Sequence, residues 1–354
     1  MPATKVFLTG ITGYIGGDIF HVLHDKHPDW TYSVLVRSQD KADKIKAAFP
    51  DVRTVLGDLD NSAILTEESS GANIVIHTAD ASDHAGAARA IAEGILKGHS
   101  SENPGYYLHT SGTGILTYTD SEADRYGEPT DKIYDDWENV DELTHLHDSA
   151  FHRDVDKIVL DAGIRHADVV KTAIVCPPTI YGAGRGPISS RSRQVPELAK
   201  CTLKLHKAPV VGSGKATWNN VHIHDLSELY LLLAEAAASS DNKHNDHAQL
   251  WGAKGYFLAE NGEHVWGELA REIATVAVQK GYIPAPAQTR AMGKDEAWET
   301  ADFQALSWGL NSRAKAKRAR EVLGWAPKAP ALVDEVPDIV DVEYQLLQEN
   351  QKKG

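Results

Sequence analysis

Short apolar runs alternate, through the first half of the chain, with longer stretches whose apolar positions recur every three or four residues. The runs predict strands at Lys5–Thr9, Tyr32–Val36, Val52–Leu56, Ile74–Thr78, Tyr106–Thr110 and Asp168–Cys176. The longer stretches predict helices at Tyr14–Lys26, Asp40–Phe49, Ser62–Glu68, Ser82–Gly98 and Glu142–Ala162. Strands and helices in alternation predict an α/β fold built on a doubly wound parallel sheet. Two regions depart from this rhythm. Thr117 to Asp141 is polar and acidic, with Asp120, Glu122, Asp124, Glu128, Asp131, Asp135, Asp136 and Glu138. It falls at the carboxyl edge of the sheet, where such folds bind ligands, so it reads either as a solvated surface loop or as a substrate lid. Beyond Tyr181 the pattern dissolves into Gly/Pro-rich loops and scattered helices, which predicts a smaller, mixed C-terminal substrate lobe. The expected organisation is a sheet domain at 1–182, rejoined by about 217–252 as the chain returns to the sheet near Val221–His224. The lobe then comprises 183–216 and 253–354.

The first strand–helix junction narrows the chemistry. Lys5–Leu8 runs into Thr9-Gly10-Ile11-Thr12-Gly13-Tyr14-Ile15-Gly16-Gly17, and the helical pattern opens at Tyr14. Strand, tight glycine turn and helix in that order predict a dinucleotide-binding Rossmann junction. Gly10 and Gly13 permit the turn and a close backbone approach, and Gly16 lets the helix pack on the strand. The N–H groups and dipole at the helix start favour a pyrophosphate.

Composition removes several alternatives. The 354 residues carry a net charge of -14, which argues against a nucleic-acid or anionic-membrane partner. The two cysteines, Cys176 and Cys201, form no CxxC, so neither a disulfide framework nor a cysteine metal site is expected. No apolar run approaches the roughly 18 residues of a membrane span. The opening MPATKVF enters the first strand at once and resembles no signal peptide. These features predict a cytoplasmic protein acting on a small molecule.

Several further motifs resemble the extended short-chain dehydrogenase/reductase family, in its epimerase/dehydratase-like branch, and they run in register from Lys5 to about Pro330. TGITGYIGG is similar to the family's TGxxGxxG, and Gly57-Asp58-Leu59 to its GDL. His77-Thr78-Ala79 matches the strand end beside the adenine ribose. Leu108-His109-Thr110-Ser111-Gly112-Thr113 matches the strand carrying the active-site Ser/Thr. Cys176-Pro177-Pro178-Thr179-Ile180-Tyr181-Gly182 is similar to RPPxxYG, which passes the nicotinamide. Trp218–Leu226 resembles the VHVxDL segment and Arg320–Pro327 the closing LGWxP. The resemblance implies a Rossmann-type sheet and a cofactor site made by Gly10, Thr12, Gly13, Tyr14, Ile15, Gly16, Asp58, Leu59, Thr78, Ala79, Pro177 and Thr179. A homodimer through the sheet-domain helices is the family's habit. After the second strand an NAD enzyme usually carries an acid; here Val36-Arg37-Ser38 stands instead. The Arg37 fork suits a 2′-phosphate, with Ser38 and Lys41 beside it, and favours NADP(H) over NAD.

The family's catalytic helix carries a Tyr four residues before a Lys. The Lys holds the nicotinamide ribose, the Tyr moves the substrate proton, and the Ser/Thr orients the oxygen. The matching stretch here is Ala150-Phe151-His152-Arg153-Asp154-Val155-Asp156-Lys157, so Lys157 fits and Arg153 takes the tyrosine position. No Tyr-x-x-x-Lys occurs elsewhere in the sequence. Arginine is a poor proton donor at neutral pH, which leaves Arg153 as an electrostatic contact. Lys157 itself, and the insert tyrosines Tyr118, Tyr126 and Tyr134, remain open as donors. His152 lies about 140° round the helix from Lys157 and reads as a surface histidine. Ser111, with Thr113 as a second candidate, is expected to bind the substrate oxygen.

Three functions are compatible with this pattern. The first is an NADP(H)-dependent oxidoreductase of atypical type, moving a hydride to or from a small organic carbonyl or activated double bond. The second is a non-catalytic NADP(H)-sensing protein similar to the NmrA group. The third is a nucleotide-sugar epimerase or dehydratase, against which Arg37 and Arg153 both argue. The histidine pairs His222/His224 and His145/His147 are expected to be structural or exposed rather than metal ligands. The basic run Arg313, Lys315, Lys317, Arg318, Arg320 is expected to be a solvated helix face.

Overall fold

The computed structural model describes residues 3–239 and 248–353. Seven parallel strands form the central sheet: β1 (Lys5–Thr9), β2 (Thr31–Val36), β3 (Arg53–Leu56), β4 (Ile74–His77), β5 (Gly105–Thr110), β6 (Val170–Cys176) and β7 (Tyr256–Leu258). Their order is β7-β6-β5-β4-β1-β2-β3. β4 and β5 are buried at every position, as their unbroken apolar runs require of strands covered on both faces. Helices α1 (Tyr14–Lys26), α2 (Gln39–Ala48), α3 (Ser62–Gly71), α4 (Ala85–Gly98) and α5 (Arg153–Arg165) cross between strands. α3, α4 and α5 pack side by side. Their approach is close because a Cβ at Gly94 or Gly98 would lie 2.4 or 2.0 Å from the α3 backbone. The strand order reverses between β1 and β4, so the loops after these two strands face each other across a crevice.

A second core, around Trp218, Trp266, Trp308 and Leu198, builds the lobe. It holds α6 (Gln194–Leu205), α8 (Trp266–Gln279), α9 (Lys294–Ser307) and α10 (Leu332–Lys353). The remaining long helix, α7 (Ile223–Ala238), packs against α1 beneath the sheet. The expected return to the sheet is corrected here. Thr217–His222 pairs with Thr179–Tyr181 and Glu263–Val265 in a separate three-stranded sheet. The seventh strand of the main sheet comes instead from Tyr256–Leu258, inside the segment assigned to the lobe.

The acidic segment keeps Glu122, Asp124, Glu128, Asp131 and Glu138 on the surface, as a solvated loop would, but it is anchored by its buried acids. Asp120 accepts from the backbone and side-chain amides of Asn311 at 3.0 and 2.7 Å. Asp136 accepts backbone N–H groups of Leu258, Lys317 and Arg318 at 2.9, 2.8 and 2.9 Å. The basic run supplies partners rather than a free cationic face: Lys317 pairs with Asp135, Arg313 with Glu263 and Arg320 with Glu260.

The predicted helix Glu142–Ala162 is also corrected. It is two pieces, Val140–Thr144 and α5, and the junction residue His152 sits in the left-handed region at φ 67°. That break decides which side chains α5 turns toward the site.

Candidate active site

The crevice at the switch point is a groove of about 510 Å³ lined by Gly10, Thr12, Gly13, Leu35, Val36, Arg37, Asp58, Leu59, Asp60, Thr78, Ala79, Asp80 and His84. It is shaped by the glycines. Gly10 has φ +88°, and a Cβ on Gly10 or on Gly16 would lie 2.3 Å from Thr78 Oγ1, so α1 can meet β4 only without side chains there. Gly13 meets nothing but the Gly10 carbonyl and faces the groove. Thr9 Oγ1 accepts the Thr78 and Ala79 N–H groups at 3.2 and 3.3 Å, which fixes the opposite wall. Arg37 is exposed and has no hydrogen bond or ion pair among the described residues. Ser38 caps α2 by accepting from Lys41 N. Asp58 Oδ1 accepts from the N–H groups of Asp60 and Asn61, which orders the turn into α3. Tyr14 lies beside the groove, its hydroxyl donating to Gly182 O at 2.7 Å, and Ile15 packs half-buried against the core. A dinucleotide fits this donor set and this side-chain-free floor.

Further along the same edge, the loop after β4 meets the start of α5. His152 Nδ1 lies 2.7 Å from Asp83 Oδ1. Since an ionised carboxylate only accepts, Nδ1 carries the hydrogen and Nε2 is left to exchange a proton. Among the described residues Nε2 has no hydrogen-bond partner, and it lies above the β5 exit, where a Cβ on Gly112 or Gly114 would be 3.5 Å away. Burial raises the Asp83 carboxyl, but the hydrogen bond and charge of His152, with Ser82 and Arg193, outweigh it and hold the group below its ordinary value. Pro177 closes the floor, its carbonyl accepting from Thr113 N at 3.0 Å, while Thr179 is buried in the neighbouring strand.

Arg153 and Lys157 stand elsewhere. Lys157 is half-exposed and donates to Asp148 at 2.7 Å. Arg153 is buried and donates to the Thr144 carbonyl at 2.8 Å. Both line an outer depression between α4 and α5, about 100° round the helix from His152 and Asp156. The left-handed turn at His152 sets this register, so His152 and Asp156 occupy the inward i, i+4 positions. Ser111 is buried beside Asp156, although no well-formed hydrogen bond closes there, and Gly112 is the residue facing His152. The buried Thr113 hydroxyl has no partner. Replacing Lys157 with Ala should therefore change kcat by less than about threefold, because only a surface ion pair is lost. A loss of several orders of magnitude in steady-state turnover would restore Lys157 to the site.

Beneath the site runs a line of buried polar groups that the sequence reading passed over. Thr9 Oγ1 bonds His77 Nδ1 at 2.7 Å, His77 pairs in register with His109, and His109 Nε2 lies 3.8 Å from Asp156 Oδ1. Asp156 Oδ2 accepts from the Tyr256 hydroxyl at 2.8 Å. Burial pushes His77 down to about 3 and His109 well below its usual value, so both are neutral. Burial pushes Asp156 up to about 6 from 3.8, against the opposing pull of Ser111 and Tyr256. Between these values the folded chain holds a proton that the unfolded chain releases, so stability falls as pH rises through the window, by up to roughly 3 kcal/mol. Asp156→Asn should flatten this fall in thermal melts between about pH 4 and pH 6. An unchanged slope would contradict it. The spacing of His152 and Asp156 was the available signal, hidden by treating Glu142–Ala162 as one helix.

The histidine pairs have local partners. His222 Nδ1 caps α7 by accepting from His224 N, and His145 Nδ1 lies 2.8 Å from the Asp141 carbonyl. Among the described residues no helix is long and apolar enough to cross a membrane.

Comparison with known proteins agrees with this architecture. The model of the NAD dependent epimerase/dehydratase family matches residues 6–103 and 130–246. The chain is 39% identical over 345 residues to "Oxidase ucsJ" of Acremonium sp, covering 97% of this chain and 98% of that one. It is 25% identical over 343 residues to the uncharacterized protein YLL056C of Saccharomyces cerevisiae, covering 94% and 97%. Among solved structures it is similar to the UDP-glucose 4-epimerase of Thermotoga maritima with UDP-glucose, at TM-score 0.63, 15% identity and 97% and 100% coverage. It is also similar to DesIV, a dTDP-glucose 4,6-dehydratase of Streptomyces venezuelae with NAD bound, at TM-score 0.64, 16% identity and 97% coverage of each. These two likenesses are of fold. With the glycine-loop groove, the parallel sheet and a full-length relative in agreement, the chain belongs to the NAD dependent epimerase/dehydratase family, of the extended short-chain dehydrogenase/reductase type.

Proposed function

We propose that this protein is an NADP(H)-dependent oxidoreductase in which the His152–Asp83 pair moves the substrate proton that a tyrosine moves in its relatives. The single observation carrying this reading is the His152 ring itself, with Nδ1 held at 2.7 Å by Asp83 and Nε2 unengaged above Gly112 and Gly114. Such an arrangement fixes the tautomer and steadies the imidazolium that forms during proton transfer. The dinucleotide would be held by Gly10, Thr12, Gly13, Asp58, Leu59, Thr78 and Ala79, with Arg37 toward a 2′-phosphate. Bound there, it supplies or accepts the hydride. The substrate class is a small organic carbonyl or activated double bond, and the oxidase name of the 39% identical relative is consistent with redox chemistry.

The nucleotide-sugar neighbours favour a different substrate, but at 15–16% identity they speak for the fold alone. A non-catalytic sensor draws support from the outward Lys157. An oriented histidine beside an open backbone floor is a feature that sensing does not require. Incubating the purified protein with NADPH and a panel of aldehydes, ketones and enones tests the reading by loss of NADPH absorbance. Turnover on at least one member is expected. Binding of NADPH with no oxidation across the panel would sink it and leave the sensor standing.

A further inference from the structure

Beside His152 lies an aromatic surface that proton transfer does not need. Phe151 is 42% exposed, and its ring centroid is 3.8 Å from that of His152 and 5.0 Å from that of Phe303. Phe303 belongs to α9, in the lobe. The α9 backbone leaves helical geometry at Ala301 and Asp302, and Asp302 has φ 42°. This conformation is unfavourable for a residue carrying a side chain, so the fold accepts a cost at the place that brings Phe303 to Phe151. Below the rings the β5 exit is backbone: a Cβ on Gly114 would already stand 3.3 Å from the Phe151 ring. The two partly open rings touch each other and form an aromatic wall beside His152, against which a flat apolar body can lie.

The loop 183–193 crosses the start of α1 nearby, with Gly186 against Gly17. It carries three arginines. Arg185 is bound by Asp18 and Arg191 by Glu343, while the charge of Arg193 already acts on Asp83. The diphosphate of a nucleotide sugar asks for several free donors, and this loop has committed two of its three arginines to carboxylates.

We propose that Phe151 and Phe303 form the substrate-recognition wall, and that the substrate is a planar aromatic or fused-ring carbonyl compound rather than a nucleotide sugar. The inference rests on the placement of His152 argued above for the function. It places the ring system against the open edges of the two touching phenylalanines and the carbonyl oxygen toward His152 Nε2.

The test is binding rather than turnover, with ligand-observed NMR on the full chain saturated with NADP⁺. The probes are 2-naphthaldehyde, glyceraldehyde and UDP-glucose. Naphthaldehyde should bind, and Phe303→Ala and Phe151→Ala should each weaken it by about tenfold while leaving glyceraldehyde and NADPH affinities unchanged. Phe303→Tyr, which keeps the ring, should retain binding. Because both rings are partly exposed, these variants are expected to fold, and their melting temperatures check this. Tighter binding of UDP-glucose than of naphthaldehyde, or a naphthaldehyde affinity indifferent to both alanine variants, would overturn the proposal. Naphthaldehyde binding that depends on Phe303 without turnover keeps the recognition wall and removes only the oxidoreductase reading. Turnover of glyceraldehyde with no binding of naphthaldehyde does the reverse.

Discussion

Replacing His152 with Asn should lower kcat by about 10²–10⁴-fold, the usual contribution of a positioned general acid or base. Dinucleotide affinity should stay within about twofold, because His152 lies outside the glycine-loop groove. Asp83→Asn should cost less, about 10–10²-fold, since Asp83 acts by holding the ring and its tautomer. If Asp83 works only through His152, the double variant will be no slower than His152→Asn alone. Steady-state rates for the four proteins decide the matter. Additive losses would give Asp83 a separate role, and a His152→Asn enzyme with near-normal kcat would remove the pair from the chemistry altogether. The contrast with Lys157 sharpens the test. Its ammonium lies 2.7 Å from Asp148 on the outside of the helix.

Cofactor choice should turn on Arg37. Loss of charge-assisted hydrogen bonds to a 2′-phosphate predicts that Arg37→Ala raises the Kd for NADPH by about 10–10²-fold. The Kd for NADH should move by less than about threefold, because NADH has no group at that position to lose. Arg37→Asp should go further and reverse the preference, placing an acceptor where a ribose 2′-hydroxyl can donate. Fluorescence titration of the two reduced cofactors measures both. Wild-type protein that binds NADH as tightly as NADPH would contradict the assignment. The remaining charged residues of the groove, Asp58, Asp60, Asp80 and His84, make Arg37 its only permanent cation among the described residues.

How far the sequence foretold these sites depended on how local the determinants were. The glycine loop was legible because strand, turn and helix are adjacent, and each glycine has a steric reason within the junction or its first neighbour, Thr78. The buried strands were legible from their apolar runs. The register of α5 was not. It depends on a left-handed residue at 152, a conformation with no marker of its own in the sequence, since Asp83 and Phe303 support it from distant parts of the chain. A single residue of phase then exchanged Arg153 and Lys157 for His152 and Asp156. The acidic insert was legible only in part. Its exposed acids are solvated as their charges suggest, but the partners of buried Asp120 and Asp136, Asn311 and the N–H groups of Leu258, Lys317 and Arg318, lie more than a hundred residues away in sequence and give no local sign.

Those same carboxylates limit how the molecule can be recombined. A lobe grafted from a relative would have to bring 117–141 and 311–320 together as a matched pair. Either piece alone would leave Asp120 with Arg125 as its remaining side-chain partner and Asp136 with the Leu258 N–H alone, or leave backbone amides without acceptors. Loop 183–193 and the turn carrying Phe303 lie outside that pairing. Diversification of substrate range, in nature or in the laboratory, is therefore cheapest there, with the clamped pair inherited as a single unit.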